Sequence, residues 1–238
     1  MRRSKKNSKA KSNQKPVSRA AAKRMLLRPG RFVARNTEKG PMRIGIVAVQ
    51  GDFAAHAAML RRLGADSVEV RTVSDLEGCE GIILPGGEST TQLQFLREEG
   101  LFDAIRQFAS HGGPVFGTCA GAILLATKVK NPPQESLGLL DMTVLRNGYG
   151  RQLASDVFFE RTKLKKDPLE MVFIRGPIIE ETGKGISILA THEGKAALVE
   201  KGNILAATFH PELTDDPTVH EHFLDMAAKG AAQAASAS

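Results

Sequence analysis

The sequence predicts an α/β fold: a doubly wound, mostly parallel sheet flanked by helices, with an additional antiparallel strand region in the second half. Three observations predict it. From residue 42 onward, short β-branched runs alternate with segments of helical spacing, as in βαβ units. After residue 142 the pattern is mostly strand-like, with Gly and Pro turns between the strands. A chain of 238 residues with 42% hydrophobic and 25% charged residues also suits one globular domain.

The first half contains the clearest parallel-sheet signals. Residues 43–49 (RIGIVAV) form a continuous apolar run, which is typical of a buried parallel strand, and residues 53–63 follow with helical spacing up to Gly64. Further strands are predicted at 68–70, 81–84 and 114–117, with helices at 91–97, 102–111 and 120–126. Ligands of such a sheet are expected at the carboxyl ends of its strands.

The second half is richer in strands. Strands are predicted at 142–146, 157–160, 171–174, 186–192, 196–199 and 204–209. A helix over 219–228 closes the domain, and residues 230–238, rich in Ala and Ser, are expected to be a frayed tail.

The basic charge belongs to an N-terminal extension, residues 1–41, which carries 14 of the 33 Lys and Arg residues and only one acid, Glu38. The remaining 19 basic and 25 acidic residues give the predicted domain, residues 42–229, a net negative charge. The extension lacks apolar periodicity, so we expect disorder. It is open to three interpretations: an organelle transit peptide, a polyanion-binding tail, or a gene-model artefact with translation starting at Met42.

Composition also excludes several classes of protein. No apolar run approaches the ~18 to 20 residues of a membrane span, so we expect no membrane insertion. The acidic domain gives no electrostatic reason to bind nucleic acid. Two cysteines do not make a disulfide framework, which favours a reduced, intracellular compartment. We expect a cytoplasmic location and do not favour organelle import by residues 1–41.

Cys119 is the candidate nucleophile. It lies in F-G-T-C-A-G, between two glycines, where a predicted strand gives way to a helix. Such an elbow exposes the central side chain, and the helix N-terminus favours a thiolate. The alternative is a small buried apolar residue, which we accept for Cys79, since no elbow surrounds it.

His210 and Glu212 are the candidate base and its orienting carboxylate. His210 ends a predicted strand and precedes Pro211. In an extended H-P-E segment, residues i and i+2 point to the same side, so Glu212 can bond one imidazole nitrogen while the other faces Cys119. The five other histidines suit ordinary structural roles: His56, His111, His192, His220 and His222.

The segment L-P-G-G-E-S-T, residues 84–90, is a candidate oxyanion loop. Adjacent glycines after a buried strand let the backbone approach a ligand. Neither a dinucleotide nor a phosphate-loop motif is present. A plain turn with Ser89 capping the next helix is the alternative.

Together, these motifs resemble those of class I (triad-type) glutamine amidotransferases, and more specifically those of the glutaminase subunits of pyridoxal 5′-phosphate synthase. The resemblance covers about residues 42–229. It rests on five separate motifs: V-Q-G-D (49–52), L-P-G-G-E-S-T-T (84–91), R-N-G-Y-G-R-Q (146–152), F-I-R-G-P (173–177) and F-H-P-E-L-T (209–214). The resemblance implies a flavodoxin-like fold and hydrolysis of L-glutamine to glutamate and ammonia through a glutamyl thioester. Ammonia would pass to a (β/α)8-barrel synthase partner in a large hetero-oligomer that uses a pentose phosphate and a triose phosphate.

The resemblance also assigns roles to individual residues. Cys119, His210 and Glu212 correspond to the triad. Gly87 and Ala120 would supply oxyanion N–H groups. Gly87, Glu88, Ser89, Arg146, Ile174 and Arg175 would hold L-glutamine, and Gln50 would lie near the synthase. No cofactor and no metal are expected.

Small departures from the family pattern lie beside the arginines. Gly148 and Tyr149 replace the more usual Ser and Phe, and Gly176 replaces Ala, which bears on substrate affinity rather than on the chemistry. Three alternatives stay open: a glutaminase subunit of another ammonia-dependent synthase, an intracellular cysteine-peptidase-like protein, and a non-catalytic regulatory module with a polyanion-binding tail.

Overall fold

The computed structural model describes residues 40–148, 156–174 and 176–236, with the side chains of 233–236 outside the description. Most of the N-terminal extension therefore lies outside the described residues, and so does Arg175. Within the described part of the chain, no helix is long and apolar enough to cross a membrane.

Helices and strands alternate through the first half, and strands dominate the second. The strands are β1 (Arg43–Val47), β2 (Asp66–Val70), β3 (Gly81–Leu84), β4 (Val115–Thr118), β5 (Ala126–Lys130), β6 (Leu140–Leu145), β7 (Asp156–Glu160), β8 (Leu169–Phe173), β9 (Ile178–Thr182), β10 (Ser187–His192), β11 (Lys195–Lys201) and β12 (Ile204–Ala207). The α-helices are α1 (Phe53–Arg62), α2 (Ser89–Glu98), α3 (Leu101–Ser110), α4 (Ala120–Leu125) and α5 (Thr218–Ser236), with 3₁₀ turns at Val73–Leu76 and Pro211–Leu213.

The main sheet confirms the predicted fold class. Its strand order is β2-β1-β3-β4-β12-β11-β9-β6-β5, with β10 paired to β11. The pairs that join β2, β1, β3, β4 and β12 are all parallel. Strands β11, β9 and β6 continue the sheet antiparallel, while β7 and β8 form a separate antiparallel pair. The carboxyl ends of β1, β3, β4 and β12 therefore meet at one edge, which positions the site.

Two apolar cores lie on the two faces of the parallel strands. Ile82 and Ile83, neighbours in β3, are both fully buried but belong to different cores because successive side chains point to opposite faces. One core includes Leu96 of α2 and Ile105 of α3, and the other includes Phe223 of α5. Burial on both faces explains why these strands are continuous apolar runs in the sequence.

Two strands of the structure, β5 and β9, are absent from the sequence-based prediction. The predicted helix over 120–126 ends at Leu125, and β5 begins directly at Ala126 and pairs with β6. Strand β9 was not predicted because two isoleucines followed by acidic residues give no clear alternation; antiparallel pairing to β6 and β11 decides its conformation. The last helix also continues to Ser236, past its predicted end at residue 228 and into the segment that the sequence assigns to a frayed tail.

Candidate active site

Cys119 occupies the turn between β4 and α4. Its backbone has φ 48° and ψ −103°, an unusual conformation for a residue with a side chain. The turn is tight: a Cβ atom at Gly121 would lie 1.9 Å from the backbone oxygen of Leu84. Glycine at 121 is therefore a requirement of the close packing between α4 and β3. The predicted strand–turn–helix geometry is present, but the Cys119 side chain is buried, not exposed as expected, because the turn is packed closely against β3.

His210 and Glu212 are joined by a hydrogen bond of 2.8 Å between Nδ1 and Oε1, and both side chains are buried. The local backbone differs from the extended segment expected from the sequence. Pro211 begins a 3₁₀ turn, and the backbone N–H of His210 donates to Val172 of β8. Proline suits the first position of such a turn because its missing N–H has no partner there.

The electrostatics of His210 favour its charged form. Burial would lower the pKa of His210, but its hydrogen bonds to Cys119 and Glu212, together with their charges, raise that pKa to about 10. Since Nδ1 is bonded to Glu212, Nε2 is the imidazole nitrogen that is left to interact with the Cys119 sulfur. The geometry thus suits a thiolate–imidazolium pair.

The glycine loop after β3 packs directly against this histidine. A Cβ at Gly86 would lie 2.3 Å from Cε1 of His210. Gly87 has φ 144°, a region open mainly to glycine. The side chain of Gln92 donates to the carbonyls of Pro85 and Gly86, at 3.2 Å each, and these bonds hold the loop in place. Gln50 Nε2 donates to the carbonyl of Glu88 at 3.0 Å.

Glu88, not Ser89, caps helix α2. Its carboxylate accepts from the backbone N–H groups of Thr90 and Thr91 at 3.0 and 2.8 Å. Its slight burial would raise the pKa of Glu88, but these bonds lower it to about 2. Arg146 Nη2 donates to Glu88 Oε1 at 2.9 Å. Ser89 instead donates through Oγ to Gln134 at 2.9 Å.

A cavity of about 460 Å³ joins these groups. Its lining comprises Asp52, Gly87, Glu88, Ser89, Cys119, Ile123, Arg146, Asn147, Ile174, Pro177 and His210. The structure therefore brings together most of the residues singled out in the sequence. Ala120 lies behind Cys119 as the first residue of α4, where backbone N–H groups have no partner within the helix.

Gly148 and Gly176, where the family pattern usually has Ser and Ala, are closely packed against neighbouring residues. A Cβ at Gly148 would lie 2.3 Å from Cγ1 of Ile178, and one at Gly176 would lie 2.6 Å from the carbonyl oxygen of Thr208. The usual Ser and Ala would therefore require these neighbours to move.

Three residues near the triad have no role in the sequence-based interpretation. Asp52 Oδ2 lies 3.5 Å from His210 Nδ1, so Asp52 is a second carboxylate near that nitrogen. His56 is fully buried 3.5 Å from Glu212, and His220 is fully buried against His56; ordinary structural roles are expected for both from the sequence. The sequence gives little sign that these two histidines meet, because each lies on a different helix and they are 164 residues apart.

The fold and the site define an α/β protein of the glutamine amidotransferase class. The family model described as the SNO glutamine amidotransferase family matches residues 46–229, and this chain belongs to that family. The pyridoxal 5′-phosphate synthase subunit PdxT of Koribacter versatilis is 51% identical over 189 residues, covering 79% of this chain and 97% of that protein. PdxT of Thermotoga maritima is 50% identical over 186 residues, covering 78% of this chain and 99% of its own length.

Two solved structures are similar to this chain. A glutamine amidotransferase crystal structure superposes with a TM-score of 0.73 at 42% identity, covering 78% of this chain and 98% of that chain. A chain in the structure of PurLQS from Thermotoga maritima has a TM-score of 0.59 at 17% identity, covering 78% of this chain and 98% of that one, and supports the fold alone.

Proposed function

We propose that this protein is the glutaminase subunit of a pyridoxal 5′-phosphate synthase. It hydrolyses L-glutamine to L-glutamate and ammonia. The observation that carries the proposal is the cysteine at the β4–α4 turn, which lines the same cavity of about 460 Å³ as His210 of the buried His210–Glu212 pair. Relatives at about 50% identity over nearly their whole length carry the synthase subunit name, which supports the specific assignment.

The chemistry proceeds in two halves on Cys119. The thiolate attacks the side-chain amide carbon of glutamine, and the oxyanion of the tetrahedral intermediate is held by the N–H groups of Gly87 and Ala120. His210 then gives its Nε2 proton to the leaving nitrogen; the C–N bond breaks, releasing ammonia and a glutamyl thioester. His210 next takes a proton from water, which attacks the thioester, and collapse breaks the C–S bond to give glutamate and thiolate.

Glutamine is held by other groups that line the cavity. Arg146 pairs with the α-carboxylate, for which its guanidinium fork is suited. Glu88 attracts the α-ammonium group, and Ser89 and the backbone of Ile174 complete the pocket, together with Arg175, which lies outside the described residues. Because Arg146 is already bonded to Glu88, both side chains are fixed in place before substrate arrives.

The ammonia is consumed by a partner synthase, which we propose is a (β/α)8-barrel subunit. Gln50 lies at this junction. Its hydrogen bond to the carbonyl of Glu88 links the partner-facing loop to the oxyanion loop. This link suggests that docking of the synthase adjusts the Gly86–Gly87 backbone, so the isolated protein should be a weak glutaminase.

The decisive experiment combines the purified protein with a purified barrel synthase and measures glutamate release and pyridoxal 5′-phosphate formation. We expect synthase-stimulated glutamate release and glutamine-dependent product. Cys119→Ala should abolish both, while an ammonium salt supplied directly should restore product. Glutamate release without any pyridoxal 5′-phosphate would favour a subunit of another ammonia-dependent synthase, and no glutamate release in the complex would refute the glutaminase assignment.

A further inference from the structure

A buried pair of histidines lies behind the triad. His56 of α1 and His220 of α5 are both fully buried, and His56 Nδ1 lies 2.9 Å from His220 Nε2. The ring of Phe116 packs edge-on against both imidazoles, which fixes their orientation. Two polar rings in an apolar core are costly unless they are hydrogen-bonded, so their arrangement calls for a physical account.

The free edge of His56 faces the triad carboxylate. His56 Nε2 lies 3.5 Å from Glu212 Oε2 and 3.2 Å from Thr118 Oγ1. Oε2 is the oxygen that the bond to His210 leaves unused, and it has no hydrogen-bond partner among the described residues. The distance is long for a hydrogen bond, and catalytic hydrogen bonds of this kind often tighten when substrate binds.

Both histidines are neutral. Burial lowers the pKa of His220 to about 3, and burial together with His220 and His210 lowers the pKa of His56 well below its usual value. Each ring therefore carries one proton, and the question is which nitrogen of each ring holds it.

One arrangement of the two protons fits the surroundings better. With the His56 proton on Nε2, that N–H points toward Glu212 Oε2 and Thr118 Oγ1, while Nδ1 accepts from His220 Nε2–H. Among the described residues, the nitrogen then left without a partner is His220 Nδ1, which is a bare acceptor. The opposite arrangement would leave a buried N–H on His220 unpaired and turn a lone pair of His56 toward a carboxylate.

We propose that His56, set in its tautomer by His220, is a positioning residue that directs an N–H at the outer oxygen of Glu212. This inference rests on the proposed glutaminase function and deepens it. The carboxylate is thereby held from both sides, by His210 at Oε1 and by His56 at Oε2, and the imidazole of His210 stays aligned with Cys119. The chain of contacts runs from α5 through α1 to the turn after β12.

The tautomer can be read in the unaltered protein. Histidine ¹⁵N NMR on the wild-type chain should show His56 and His220 both protonated at Nε2 and neutral over the range of pH where the protein is active. A proton on Nδ1 of His56 would overturn the proposal regardless of catalysis. This measurement needs no glutamine, so its failure is separate from failure of the proposed function.

Substitution tests the positioning role. His56→Leu removes the donor, whereas His56→Gln places an amide N–H near the position of Nε2. We expect His56→Leu to lower kcat about 10- to 100-fold with KM nearly unchanged, and His56→Gln to recover most of the loss. His111→Gln, at the exposed end of α3, is the matched control and should leave activity unchanged.

The pH profile separates positioning from loss of structure. The titratable groups that face Glu212 are His210 on its own turn, His56 on α1 and Asp52 in the loop after β1, with His220 behind His56. Without the donor at Oε2, Glu212 binds a proton more readily. The acid limb of Cys119 alkylation by iodoacetamide should then move upward by up to about one pH unit in His56→Leu. An unmoved limb, or equal losses in the Gln and Leu variants, would contradict the proposal.

Discussion

The two sides of His210 present carboxylates in opposite environments. Glu212 is buried and 2.8 Å from Nδ1, whereas Asp52 is 39% exposed in its side chain and 3.5 Å from the same nitrogen. On the buried side, neighbouring groups hold the carboxylate in one orientation; on the open side, solvent screens it. Distance and burial together assign the orienting role to Glu212, and the following predictions test whether the two sides differ as the geometry implies.

The largest effect is expected for Glu212→Gln. Removing the charge should lower the pKa of His210 from about 10, because that carboxylate is one of the groups that raise it. We expect kcat to fall about 10³- to 10⁴-fold, as when the orienting carboxylate of a catalytic triad is neutralised. Steady-state glutaminase assays of the complex would measure this fall.

Asp52→Asn is the matched control for the exposed side. It makes the same chemical change near the same nitrogen, yet we expect a fall of less than about threefold, because exposed charges interact weakly. Equal losses in the two variants would show that the carboxylates share the orienting role.

A smaller loss is expected when the histidine itself is displaced. In Gly86→Ala the new Cβ would lie 2.3 Å from Cε1 of His210, so the ring or the loop must move. A displacement of about 1 Å can reduce the rate about 100-fold. Gly230→Ala in α5, whose Cβ would lie 3.4 Å from its nearest neighbour, should leave the rate unchanged. Retained activity in Gly86→Ala would mean that the loop adapts without disturbing the triad.

Substitution of Arg146, a proposed glutamine-binding residue, should change the affinity for glutamine rather than the rate of hydrolysis. Arg146→Lys keeps the charge but loses the planar fork that suits a carboxylate. We expect KM for glutamine to rise about tenfold with kcat largely retained, since the loss applies equally to substrate and transition state. Arg71→Lys, an exposed pair with Glu69, provides the control. A fall in kcat without a change in KM would place Arg146 in the chemistry instead.

How far the sequence predicts this molecule depends on where each feature is encoded. Cys119 and its glycines, or His210 with Glu212, lie within a few residues of one another, so local pattern was enough to find them. His56 and His220 meet only after two helices pack on the same face of the sheet, and neither helix carries a local sign of the contact. Strand β9 was missed for the same reason, since long-range pairing determines it.

The smallest expected effect concerns the stability that Glu88 gives to helix α2. Glu88 caps α2 and has a pKa of about 2, below its usual value, because the backbone N–H groups of Thr90 and Thr91 bond its charged form. A lowered folded-state pKa gives stability that is present above the unfolded value, near 4.5, and lost as pH falls toward 2. Glu88→Ala should therefore cost about 1 kcal/mol at pH 7.

That cost should shrink in acid, because protonation removes from the wild type what the substitution removes from the variant. Urea unfolding of both proteins at pH 7 and at a series of lower values would follow the difference. Glu98→Ala, at the other end of α2, is the control and should show no comparable dependence on pH. A difference that persists undiminished in acid would mean that the cap stabilises α2 through packing of the Glu88 side chain rather than through its charge.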